Sequence, residues 1–214
     1  PFRVGEDDGS PYGGKDFLFW TPPMIDVAEG SRRSTNSEAA LVLAELLRRH
    51  VRTLAFVRTR RMAELLYVFV RDRLLEDSPD VAARVAPYRA SYLPEDRRRI
   101  ERDLFDGRLL GLTTTNAMEL GVDIGDLDAT LMSGYPGSIA SAWQQAGRSG
   151  RRGEGSLSFM IGMANPLDQY FMRHPQEFFD KPHEHVLVSP SEDGPQVSHL
   201  PVVITQWTPE ERKY

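Results

Sequence analysis

The sequence predicts an α/β protein, a mostly parallel sheet covered by helices on both faces. Two observations predict it: short apolar runs alternate with stretches of helical period, and capping residues or prolines punctuate the changes between them. Residues 1–15 are rich in Gly and Asp and read as a linker or entry loop. Phe17-Leu18-Phe19-Trp20 reads as a strand stopped by Thr21-Pro22-Pro23. After a loop at 29–33, Thr35-Asn36-Ser37-Glu38 has capping-box spacing, and Ala39, Leu43, Leu46 and Leu47 continue a helix to about His50. Thr53–Val57 reads as a buried strand, followed by a helix from about Thr59 to Leu75 that turns Met62, Leu65, Leu66, Phe69 and Val70 inward. A short strand at Ala86–Tyr88 precedes a helix opened by Pro94, a residue suited to the first turn. Leu109–Thr113, Ala129–Met132 and Ser156–Ile161 supply three more strands, with a helix from about Ser138 to Ala146 before the last. Asn165-Pro166 reads as a cap for a short helix at Gln169–Arg173, and 181–200 shows no period. The domain proper is therefore expected over 16–164, with 165–214 an appendage that is truncated.

Composition narrows the function. The chain has 214 residues with 26 basic and 31 acidic side chains, a formal net charge of −5, and no cysteine, which excludes a disulfide framework, a Cys-ligated zinc and a thiol nucleophile. No apolar run approaches the roughly 20 residues of a membrane span, so no membrane partner is expected. The acidic total argues against nucleic acid until its distribution is read. Lys15, Lys181 and Lys213 are the only lysines, and the positive charge is carried by arginines clustered at 58–61, 97–102 and 148–152. The chain begins at Pro1, which suggests a piece of something longer.

Gly9-Ser10-Pro11-Tyr12-Gly13-Gly14-Lys15 imitates the opening of a phosphate-binding P-loop. It lacks the preceding strand and following helix whose amides would hold phosphate, and Asp16 stands where a magnesium-binding Ser or Thr belongs. The stronger signal is Gln144-Gln145-Ala146-Gly147-Arg148-Ser149-Gly150-Arg151-Arg152-Gly153, where glycines allow a tight turn and arginines project forked cations suited to spread phosphate charge. Upstream, Leu112-Thr113-Thr114-Thr115-Asn116-Ala117-Met118-Glu119-Leu120-Gly121-Val122-Asp123-Ile124-Gly125 ends a strand in hydroxyls at the carboxyl edge of the sheet, where such folds bind ligands, and places Asp123 to accept from a sugar or orient an arginine. Arg97, Arg98, Arg99 and Arg102 read as a solvated helix face, with Glu95 and Arg99, Arg97 and Glu101, and Arg99 and Asp103 spaced to pair. Trp143 and Met118 read as packing residues, and His183-Glu184-His185 as a loop rather than a metal site.

These two stretches resemble motifs V and VI of superfamily-two helicases, and the chain resembles their second RecA-like domain over about residues 15–180. Thr53–Arg60 resembles motif IV, and Tyr88–Arg98 the segment after it. More narrowly, Arg32-Arg33-Ser34, the run Arg97–Glu101, Asn116–Ile124 and Asn165–Phe171 are similar to the bacterial MrfA/YprA group of DNA helicases and its fungal Hrq relatives, which are related to the RecQ type and associated with repair.

The resemblance implies that ATP sits between two RecA-like domains, with the P-loop and Mg2+ site in a first domain absent from this chain. Arg148 and Arg151 would reach the γ-phosphate, Arg151 as arginine finger and Gln144 assisting. Gly121 and Asp123 would approach the ribose. Thr115, flanked by Thr114 and Asn116, together with Arg58 and Arg89, would contact a nucleic-acid backbone. The implied protein is an ATP-dependent DNA helicase with 3′-to-5′ polarity, acting on single strands or tailed duplexes in repair, bacterial, cytoplasmic and nucleoid-associated. This chain alone is expected to be inactive. An RNA helicase and a non-catalytic nucleic-acid-binding module remain alternatives; Gln144, where DEAD-box proteins carry His, disfavours the first.

Overall fold

The computed structural model describes residues 14–26, 28, 30–119, 124–125, 127–150, 155–180 and 202–206. In chain order the strands are β1 (Lys15–Trp20), β2 (Met24–Asp26), β3 (Ser31–Arg32), β4 (Thr53–Phe56), β5 (Val85–Pro87), β6 (Gly111–Thr114), β7 (Ala129–Ser133), β8 (Ser156–Ile161) and β9 (Val202–Gln206). The helices are α1 (Thr35–Arg48), α2 (Arg60–Leu75), α3 (Pro79–Ala82), α4 (Pro94–Phe105), α5 (Ile139–Ala146), α6 (Pro166–Arg173) and α7 (Pro175–Asp180). Seven strands make one sheet in the order β5-β6-β4-β7-β8-β1-β9, and every neighbouring pair is parallel. The RecA-like α/β class expected from the sequence is the observed one.

Side-chain alternation along the strands builds two cores. Leu54 and Phe56 of β4 join Phe17, Phe19, Leu112, Met132 and Met160 beneath α4 to α7, while Ala55 and Val57 join Leu131, Phe159 and Ile161 beneath α1 to α3. Phe171, Met172 and Phe178, beyond the boundary placed at 164, are buried in the first of these cores. Phe178 packs against Phe17, tilted, and Phe19, edge-on, at centroid distances of 5.3 and 5.4 Å.

Several local expectations are corrected. The cap of α1 is Ser34, whose side chain accepts from Ser37 N, and not Thr35. Glu38 is thereby released from the capping box; its buried carboxylate accepts from Trp20 Nε1 at 3.0 Å and Arg33 at 3.0 Å. Phe69, expected inward, is 47% exposed, because the buried stripe of α2 runs through Ala63, Leu66, Val70 and Leu74. The segment before α1 contains the β2–β3 hairpin. On α4 the pairs differ: Arg99 pairs with Asp96, and Asp103 with Arg108. Among the described residues no helix is long and apolar enough to cross a membrane.

Asp168 locks the carboxyl ends of β7 and β8 together. It is 1% exposed, and its Oδ2 accepts from Tyr135 N at 3.0 Å and Met163 N at 2.8 Å while Asn165 Nδ2 donates to Oδ1 at 2.8 Å. Removing the carboxylate leaves these donors buried without an acceptor, so Asp168→Ala should cost on the order of 2–3 kcal/mol in urea unfolding. Burial, with the hydrogen bond to Glu101 second, pushes the Tyr88 phenol up from 10.0 to about 12. The native state therefore holds this proton more tightly than the unfolded chain, and the contribution to stability is complete below pH 10 and vanishes as pH rises through about 12. Tyr88→Phe should remove that part of the alkaline fall in stability, read by denaturation across the same pH range.

Candidate functional site

At the carboxyl edge of the sheet, where β4, β6 and β7 end, a cavity of about 150 Å³ is lined by Arg58, Asn116, Glu119, Ser133, Ser141 and Gln145, among others. Strand ends create it: each chain must leave the sheet there, exposing backbone and polar side chains at one rim. Gly134 lets β7 turn away at φ +88°, and a Cβ there would stand 2.9 Å from Met163 Cε. Arg58 and Asn116 are exposed on this rim, and Thr115 is half-buried beside them. Thr114 is fully buried as the last residue of β6, its carbonyl accepting from Val57 N at 2.9 Å. Arg89 is engaged elsewhere, paired with Glu64 and lying over the Tyr92 ring at 5.9 Å.

The arginine-bearing turn sits at the opposite, amino edge. Helix α5 runs back from Ser138, its N-cap at the carboxyl rim, and ends at Gly147. Arg148 N donates to Gln145 O at 3.1 Å, and Gly150, at φ +81°, donates its N–H to Leu127 O at 3.1 Å just before β7 begins. Gly150 is required there because a side chain strains that backbone region. Arg148 is 7% exposed and its Nη2 donates to the carbonyl of Glu119. Gln144 lies exposed on the outer side of α5. Arg151, Gly121 and Asp123 lie outside the described residues, as does His183-Glu184-His185.

Glu119 joins the two edges. It is 9% exposed, and its Oε1 accepts from Ser141 Oγ at 2.8 Å and from Gln145 Nε2. One residue thus ties the segment after Thr115 and Asn116 to two turns of α5 through its carboxylate, and to Arg148 through its carbonyl. Sequence reading named Gln144 and passed over Gln145. Helical phase could have found it, since Gln145 falls on the buried stripe of Ile139, Ala142 and Ala146. Lys15, dismissed with the P-loop imitation, is 3% exposed and donates to the carbonyl of Ala146 at the end of α5 and to Ser149 O at 3.0 Å. Burial lowers its pKa from 10.5 to about 8. Among the described residues no group of three or more acidic, His or Cys side chains could hold a metal ion.

Comparison with known proteins adds lineage to this geometry. The helicase conserved C-terminal domain family matches residues 38–153. Over 200 residues the chain is 42% identical to the ATP-dependent helicase YprA of Bacillus subtilis, a match covering 94% of this chain and 26% of that protein. It is also 42% identical over 175 residues to the ATP-dependent helicase HRQ1 of Saccharomyces cerevisiae, covering 81% of this chain and 16% of that one. A crystal structure of the DUF1998 helicase MrfA bound to DNA and AMPPNP is similar at a TM-score of 0.77 and 43% identity, covering 86% of this chain and 25% of that chain. The chain spans about a quarter or less of the length of each.

The Glu119 node has a measurable consequence. Glu119→Ala leaves the buried Gln145 amide only its 3.4 Å bond to Ser141 Oγ and should lower stability by about 1–3 kcal/mol, whereas Glu119→Gln keeps an acceptor and should cost less. Equal losses in denaturant unfolding would mean that the acceptor does not matter.

Proposed function

Because the chain belongs to the helicase conserved C-terminal domain family, as the second RecA-like domain of a superfamily-two helicase of the MrfA/YprA/Hrq subgroup, we propose that it is one half of a DNA-translocating motor. The observation that carries this reading is the placement of an arginine-bearing turn and a polar rim bearing Arg58 and Asn116 at opposite edges of one sheet, tied together through Glu119. ATP and Mg2+ are held mainly by the first RecA-like domain of the longer protein. Arg148 and Arg151 enter from this side toward the γ-phosphate, Arg151 as the finger, with Gln144 assisting and Gly121 and Asp123 near the ribose. Charge grows on the phosphoryl oxygens as the terminal bond breaks, and cations already fixed in place need no reorganisation to meet it. Mg2+ would supply further neutralisation of phosphate charge; no described residue of this chain is assigned to it.

At the other edge, Arg58, Thr115 and Asn116 take the sugar-phosphate backbone of a DNA strand, with Thr114 beneath them and Arg89 to the side. Such contacts carry no base information, so binding is sequence-tolerant and salt-sensitive. Alternate closure and opening of the two domains carries the motor 3′ to 5′ along the strand. The setting of this reading is repair of single-stranded or tailed duplex DNA in the bacterial cytoplasm, at the nucleoid.

In the full-length protein, Arg151→Ala should lower ATP turnover by about 10³-fold or more, the scale of a lost arginine finger, with affinity for tailed DNA largely kept. Full turnover in that variant would remove the assignment. Arg58→Ala should reduce the slope of log affinity against log salt by about 0.7 for single strands. Strand displacement on matched DNA and RNA duplexes tests the choice of DNA.

A further inference from the structure

Lys15 is the first residue of β1 and lies outside the stretch matched by the helicase family. Its ammonium is buried at the end of α5, where it meets three acceptors: the carbonyls of Ala146 and Ser149, and Ser149 Oγ at 3.3 Å. An ammonium has three N–H donors, so its capacity is filled. The last carbonyls of any helix lack internal partners and carry the negative end of the helix dipole, and α5 has no basic residue in its own last turn. Lys15 supplies that cation from a strand 131 residues away in sequence.

Burial of this kind is costly. Taking an ammonium out of water costs several kcal/mol before its partners offset it, and the fall of the Lys15 pKa to about 8 is the mark of that desolvation. A helix end can be satisfied more cheaply by water or by a glycine-led turn. The lysine does something a cheaper cap would not: it ties the turn to the first strand of the sheet. The turn is then held on three flanks, with Lys15 on Ala146 and Ser149, Leu127 O on Gly150 N, and Glu119 O on Arg148. Ser149 Oγ tightens it further by donating back to Ala146 O at 3.2 Å.

We propose that Lys15 is a positioning residue for ATP hydrolysis, fixing the Arg148-Ser149-Gly150 turn against β1 so that Arg148 holds one geometry relative to the nucleotide. The inference rests on the reading of the preceding subsection. Lys15 touches no substrate; it acts through the turn. Arginines that act on charge developing in the transition state contribute to turnover rather than to ground-state binding, so loosening their frame lowers kcat and spares KM.

The test is steady-state ATP hydrolysis by the full-length protein with saturating single-stranded DNA, comparing wild type, Lys15→Met and Arg148→Ala. Lys15→Met keeps the apolar stem and removes the donors. Its kcat should fall about tenfold or more while KM for ATP changes less than about threefold, the signature of a lost transition-state contact. Should that variant fail to fold, Lys15→Gln, which keeps two donors on a shorter stem, is measured in its place with the same expectation. Wild-type kcat in the lysine variant, or a rise in KM with kcat kept, overturns the proposal alone, provided that Arg148→Ala has lost turnover. Full turnover in Arg148→Ala overturns the functional reading and the proposal with it.

Discussion

The need to satisfy the carbonyls at the end of α5 is the constraint from which the rest of the arrangement follows. A helix that stops inside a domain must find donors for its last turn. Backbone amides of the turn supply some of them, Gly147 N to Trp143 O and Arg148 N to Gln145 O, while Ala146 O also takes Ser149 Oγ from within the turn and Lys15 from the distant first strand. Each donor is therefore also a brace. Satisfying the helix end and immobilising the arginine-bearing turn are one event, because the same hydrogen bonds do both.

A second buried group carries the connection across the sheet. Glu119 lies where the chain descends from the carboxyl rim toward the amino edge, and its carboxylate takes donors from the first and second turns of α5. A displacement of the segment at Thr115 and Asn116 would have to stretch bonds to α5, and through it to Arg148. Buried polar bonds of this sort are stiff, since an unpaired partner in a low-dielectric interior is expensive. The carboxyl ends of β7 and β8 are held in the same way by Asp168, which leaves the rim a fixed frame. In the proposed motor, such rigid links would couple the nucleotide side of the domain to its nucleic-acid rim.

Much of the fold was legible because its signals are local. Strand runs, the prolines at 22, 94 and 166, and the apolar periods of α1 and α5 each depend on neighbours within a few positions. The misreadings were also local and have plain causes. Ser34 and Thr35 are both capping types, and only the packing of Glu38 against Trp20 and Arg33 decides between them. Phe69 is apolar, but it sits on the far side of α2 from the stripe that Leu66 and Val70 define. Of the two glutamines, the adjacent pair is indistinguishable by composition, and the helical phase of α5 puts Gln145 inside and Gln144 outside.

By itself the sequence determined the α/β class, the order of its main strands and helices but not β2, β3, β9, α3 or α7, the helicase lineage, and the chemistry of an arginine turn and a hydroxyl-ended strand. Those properties reside in short motifs whose meaning does not depend on what lies across the domain. Only the tertiary structure decided that the turn and the strand end occupy opposite edges, that Arg89 is committed to Glu64, and that Lys15, Glu119 and Asp168 are buried. The physical reason is that a polar side chain becomes structural through its partners, and Lys15 finds its own 131 residues away, at a distance in sequence that no local pattern records.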